Sequence, residues 1–186
     1  PSTAEAVAGI SAVLGDGDVP PLAMGRWRIK GYVPRFDVSE LHSVHSDQLG
    51  TDVDLSPVEL DLEVGSLLIG AAQFDRVRFT LGGVNNSTLF VDSRALAGRV
   101  SAPTKVGGPV LVELERLELP ALKESDGDGT LDPRTLPALS FSAKSLAYDG
   151  RRLGTLKFVS RRLADGIALD KIYLIASGFD AEGDAS

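Results

Sequence analysis

Val58-Glu-Leu-Asp-Leu-Glu-Val-Gly-Ser-Leu-Leu-Ile69 decides the fold class. Leu60, Leu62 and Val64 alternate with Asp61 and Glu63, the period of a strand with one dry face and one wet face. The next apolar residues, Leu67 and Ile69, keep the period but arrive after a step of three. In a flat strand that step would send them to the opposite face. A bulge or sharp bend at Gly65-Ser66 returns them to the same one.

The same spacing recurs. Val110, Val112, Leu114, Leu117 and Leu119 fit it, as do Leu139, Phe141, Ala143, Leu146 and Tyr148. Weaker copies run through Ile29, Gly31, Val33, Phe36 and Val38, and through Leu89, Val91, Ser93, Leu96, Gly98 and Val100. Leu60 to Phe79 also superposes on Leu139 to Phe158 at a constant offset of 79 residues. Two repeat-like units follow, about 58–103 and 137–183, each a strand, bend, tight turn, strand, turn and strand. Gly82-Gly83, Gly107-Gly108-Pro109, Asp132-Pro133 and Asp149-Gly150 mark turns or loops.

The predicted fold is mainly β: repeated antiparallel strands in a curved, twisted sheet, either a trough or an open sandwich, with one or two short helices. Ser39 caps a predicted helix from Glu40 to about Leu49. Residues 1–24 read as an N-terminal strand or short helix followed by a Pro/Gly linker. Ser2-Thr-Ala-Glu5 matches a capping box, but the stretch to Leu14 leans toward a strand. Residues 25–186 form the repeated β domain.

Composition narrows the function. The 186 residues carry 19 Lys and Arg against 26 Asp and Glu, a net charge of −7, which argues against nucleic acid as a partner. The lack of cysteine excludes disulfides, thiolate metal sites and cysteine nucleophiles. Apolar runs stay well below the ~20 residues of a membrane-spanning helix. The start at Pro1 and the polar end Asp180 to Ser186 suggest a piece of a longer chain.

Three constellations bear on chemistry. Glu124, Asp126, Asp128 and Asp132 occupy alternate positions of a calcium-loop register around Gly129. Thr135 stands where the bidentate Glu belongs, so a solvated acidic connector is the better reading. His42 and His45 would share a helical face but have no further ligands at zinc spacing. Asn85-Asn86-Ser87-Thr88 holds two glycosylation sequons in a turn. Nucleophile elbow, P-loop and dinucleotide fingerprint are all absent, so the expectation is no enzyme, no cofactor and no metal.

Three stretches carry a family resemblance: Gly25-Arg-Trp-Arg-Ile-Lys-Gly31 with Val33-Pro-Arg-Phe-Asp-Val38; Leu96-Ala-Gly-Arg-Val-Ser-Ala-Pro103 leading to Val112-Glu-Leu-Glu-Arg-Leu-Glu-Leu-Pro120; and Asp132-Pro-Arg-Thr-Leu-Pro-Ala-Leu139 followed by Leu146-Ala-Tyr-Asp-Gly-Arg-Arg-Leu-Gly-Thr-Leu156. In this order they resemble the later part of the YhdP family, a branch of the AsmA-like envelope proteins of Gram-negative bacteria. The resemblance spans roughly Gly25 to Gly183. It implies a periplasmic segment of an inner-membrane-anchored protein, a bridge-like lipid carrier associated with phospholipid movement and the outer-membrane barrier. It brings no catalytic residues.

The residue pattern suits such a role. An acyl chain loses about 0.8 kcal/mol per methylene left in water, so its carrier needs a continuous apolar wall. Leu60, Leu62, Val64, Val77, Phe79, Val112, Leu114, Leu139, Phe141, Leu156 and Phe158 are the expected groove lining. Asp61, Glu63, Arg76, Arg78 and Lys157 are expected to face solvent. Expected partners are phospholipid acyl chains and neighbouring repeats, and the segment can dimerise through its edge strands. The alternative is a non-enzymatic structural or interaction scaffold in which the same residues close a dry core. A small-molecule hydrolase is the remotest reading.

Overall fold

A computed structural model describes residues 10–15, 26–39, 58–82, 87–103, 108–121, 138–163, 166–176 and the backbone of 179–185. They form one sheet of eleven strands whose spatial order is their chain order. The strands are β1 (Ile10–Leu14), β2 (Trp27–Asp37), β3 (Val58–Ile69), β4 (Ala72–Gly82), β5 (Thr88–Asp92), β6 (Leu96–Ser101), β7 (Val110–Leu119), β8 (Leu139–Tyr148), β9 (Arg151–Arg162), β10 (Ile167–Ala176) and β11 (Phe179–Ala185). The sheet is curved and does not close: β1 and β11 are its two edges. No helix among the described residues is long and apolar enough to cross a membrane. The predicted helix from Glu40 to Leu49 lies outside the described residues, while Ser39 ends β2 by donating its hydroxyl and its N–H to Asp37 Oδ1 at 2.6 and 2.9 Å.

Seven of the ten strand pairs are antiparallel. Three are parallel: β1 with β2, β2 with β3, and β7 with β8. Alternation cannot distinguish the two senses, but connection length can. A parallel pair needs a crossover of a dozen or more residues, and residues 38–57 and 120–138 supply that length. Tight turns join the hairpins, at Gly70-Ala71 between β3 and β4 and at Asp149-Gly150 between β8 and β9. These turns are themselves 79 residues apart, as are the pairs Leu62–Phe79 and Phe141–Phe158. The repeat extends to β2 and β7, each lying parallel to the first strand of its hairpin.

The step of three is a crease that runs across the strands. Val64 pairs with Val77, and pairing resumes at Ser66–Asp75 and Leu67–Phe74. Leu114 pairs with Ala143 and the next apolar pair is Leu117–Leu146, so β7 and β8 reverse alternation side by side. The ladder shifts along this line between Ala97 and Gly98 and between Ala143 and Leu146, and the β9–β10 ladder shifts further along β9, between Asp170 and Tyr173. Arg76 and Lys171 accommodate the bend in left-handed backbone, with φ of 47° and 52°. Gly154, at φ +107°, meets it another way: a Cβ there would run into the carbonyl oxygen of Ile175 on β10. The most deeply buried side chains flank this line, among them Val64, Leu67, Phe74, Val77, Ala143 and Leu146.

Candidate functional site

The crease turns the apolar residues of both strand halves toward one concave face. There they enclose a cavity of about 620 Å³ whose nineteen lining residues are all apolar. They come from β2 to β8: Phe36 and Val38 on one flank, Leu60 to Ile69, Ala72, Phe74 and Phe79 next, then Leu89, Val91, Leu96, Val100, four residues of β7, and Phe141 on the far flank. Burial is graded. Side chains at the crease are dry, whereas Leu60, Leu62, Phe79, Leu89, Val112 and Phe141 on the walls are half-buried. Ile69 and Tyr148, at the outer ends of the spacing, are exposed.

Of the eleven residues expected to line a groove, seven are on the cavity wall: Leu60, Leu62, Val64, Phe79, Val112, Leu114 and Phe141. Val77 is fully buried beneath the wall, in the crease core. Leu156 packs against that core from β9. Phe158 stacks on Phe141, with ring centroids 4.8 Å apart and planes 14° from parallel. Leu139 is half-buried at the start of β8 and lies off the wall. The wall residues outside that set, such as Phe36, Leu67, Leu96 and Leu117, nearly all fall on the repeated spacing. The step of three that marks the bend also marks them.

The convex face is polar and laced with ion pairs between neighbouring strands. Arg78 forks onto Asp61 at 2.8 and 2.9 Å, Arg99 meets Glu113, Lys144 meets Glu115 and Arg161 meets Asp170. Arg28 and Arg26 share Glu59. Glu63, Arg76, Arg78 and Lys157 are exposed, as the alternation requires, and Asp61 is half-covered by its partner. The resolved carboxylate shifts have local causes. Hydrogen bonds from Arg99 hold Glu113 below the ordinary range, and those from Arg28 and then Arg26 do so for Glu59. The Ser39 hydroxyl and N–H hold Asp37 low. All three belong to strand pairing or strand termination, away from the cavity.

The calcium-register acids Glu124, Asp126, Asp128 and Asp132 lie outside the described residues, as do His42 and His45. Among the described residues, the cavity wall offers dispersion contacts and exclusion of water to a flexible apolar group, and no polar anchor for an oriented small molecule.

A family model described as YhdP protein matches residues 3–186. No curated protein and no solved structure matches the chain.

Proposed function

The chain belongs to the YhdP family, and we propose that it is a periplasmic segment of an AsmA-like envelope protein, supplying an apolar β-groove through which phospholipid moves between the inner and outer membranes and helping to maintain the outer-membrane barrier. The observation that carries this reading is the cavity wall, nineteen apolar residues on the concave side of an open sheet. A monomeric soluble protein rarely leaves so continuous an apolar surface without a ligand or partner for it. The wall suits acyl chains because it is continuous across seven strands and wholly apolar. Headgroups would remain in water.

Neighbouring repeats of the full-length protein are the proposed partners at the sheet edges. Among the described residues β1 and β11 each have one paired side, and a further strand of the same sheet would extend the trough. In the isolated chain the same edges would pair with a second copy. The scaffold reading draws its support from the crease, where Val77 and Ala143 form a dry core. That core sits below the wall and leaves the cavity above it.

Native mass spectrometry of the chain purified from a Gram-negative host tests the proposal. Phospholipid retained on the folded chain is the expected result. A lipid-free chain, even after incubation with phosphatidylglycerol or phosphatidylethanolamine, would transfer support to the scaffold.

A further inference from the structure

The two repeats differ along one edge of β4. On one side β4 pairs with β3 from Ala72 to Thr80. On the other, β5 covers it only from Gly82 back to Arg78, where β5 ends at Asp92. The chain then reverses in a turn tied at three points. The buried Ser93 donates its N–H to the Leu96 carbonyl at 2.7 Å, its Oγ accepts the Leu96 N–H at 2.9 Å, and its own carbonyl accepts Arg116 Nη2 at 2.7 Å. Among the described residues no strand lies against β4 from Ala72 to Val77 on that side. In the second repeat the corresponding edge is covered. There β10 continues past the crease, and Leu174 and Ile175 pair with Leu156 and Thr155, the counterparts of Val77 and Arg76 at the 79-residue offset.

The Gly70-Ala71 turn fixes which backbone groups are left over. A two-residue turn closes on a hydrogen-bonded pair, here Ile69–Ala72, so Phe74 also bonds to β3 while the N–H and C=O of Gln73 and Asp75 point away from it. These groups open onto a cavity between β4 and the end of β7, lined by Gln73, Phe74, Asp75, Glu118 and Leu119, with Arg94 of the β5–β6 turn beside it. Phe74 and Leu119 also line the concave cavity, so the inner side of the gap is apolar. The polar lining holds the carboxylates of Asp75, Glu118 and Asp149 and the guanidinium of Arg94, an acidic balance.

We propose that this edge of β4 is a strand-addition site for a protein partner. An extended segment, antiparallel to β4 as Leu174 and Ile175 are to β9, takes the backbone groups of Gln73 and Asp75, with an apolar residue opposite Phe74 and a Lys or Arg opposite Asp75. Main-chain hydrogen bonds supply the attachment and alternate side chains supply the choice of partner. A basic residue opposite Asp75 meets the acidic lining of the gap, whereas an acidic one would meet like charge. The site stands whether or not the concave face carries lipid.

Amide hydrogen exchange of the folded chain, with and without the end-capped peptide Leu-Ile-Lys-Leu-Thr, tests the proposal. In the chain alone the Gln73 and Asp75 amides should exchange freely and the Phe74 amide slowly. With peptide at about ten times its dissociation constant, the first two should slow about tenfold. Glu in place of the peptide's Lys should weaken binding about tenfold, and Asp75→Lys, at an exposed side chain, should reverse that preference. Protection of Gln73 and Asp75 in the chain alone would show the edge already covered and overturn the proposal. Exchange unchanged by the peptide, or binding indifferent to charge on the peptide and at position 75, would overturn it as well.

Discussion

Val64 and Val77 face each other across β3 and β4 at 1% and 0% exposure, at the last pair before both strands reverse their alternation. The two side chains are the inner corner of the fold. Leu60, Leu62, Leu67 and Ile69 on β3, and Phe74 and Phe79 on β4, share the concave face because the backbone turns at Gly65 and Arg76.

Shortening that corner should be costly. Val77→Ala removes two buried methyl groups where no solvent can fill the space, and should destabilise by about 1.5–3 kcal/mol. Val159→Ala on β9, at a side chain 37% exposed, should cost less than about 0.5 kcal/mol. Urea denaturation of the two variants checks the contrast.

The glycines separate backbone strain from collision. Gly150 at the β8–β9 turn has φ +72° with open space around it, so Gly150→Ala should cost about 1–2 kcal/mol from the left-handed backbone alone. Gly154 adds the clash with Ile175, so Gly154→Ala should cost more and should loosen the β9–β10 pairing. Arg76→Gly should be neutral or stabilising by up to about 1 kcal/mol, since it relieves the left-handed strain. Amide exchange on β10 together with thermal melts would distinguish the three.

Acid should weaken the fold in a defined direction. Asp37, Glu59 and Glu113 titrate lower in the folded chain than in an unfolded one, so the unfolded chain takes up more protons as pH falls. Their stabilisation is complete above the ordinary carboxylate pKa of about 4.3 and is lost as pH drops through the folded values. The Glu59 and Glu113 contributions rest on exposed ion pairs and should shrink in about 1 M salt, where the Debye length is about 3 Å. Melting temperature against pH at two salt concentrations reads both effects.

The convex ion pairs should matter little one at a time. Asp61→Asn breaks the fork with Arg78, an exposed pair, and should cost no more than about 1 kcal/mol.

Much of this architecture was legible in the chain. The step of three between Val64 and Leu67, between Leu114 and Leu117 and between Ala143 and Leu146 marks the crease, and the 79-residue offset marks the duplicated hairpin. The parallel pairings were hidden because a strand's alternation is the same whichever way its neighbour runs. Lys171 was hidden for another reason: β10 reverses in the run Asp170-Lys-Ile-Tyr-Leu-Ile175, where apolar residues stand next to one another and blur the period. Within the site, Val77 and Phe79 share one alternation, yet Val77 is sealed in the corner and Phe79 lines the cavity. Depth below a curved surface depends on neighbouring strands, which the pattern of one strand does not encode.

The most direct test of the groove is photo-crosslinking from benzoyl-phenylalanine placed singly at Phe79, Phe141 and Phe90 in cells. Phe79 and Phe141 are on the concave wall, whereas Phe90, 42% exposed, points from β5 to the convex side. Phospholipid adducts at Phe79 and Phe141, with none at Phe90, are the expected result. Adducts absent from both wall positions, or equally abundant at Phe90, would contradict an acyl chain held on the concave face.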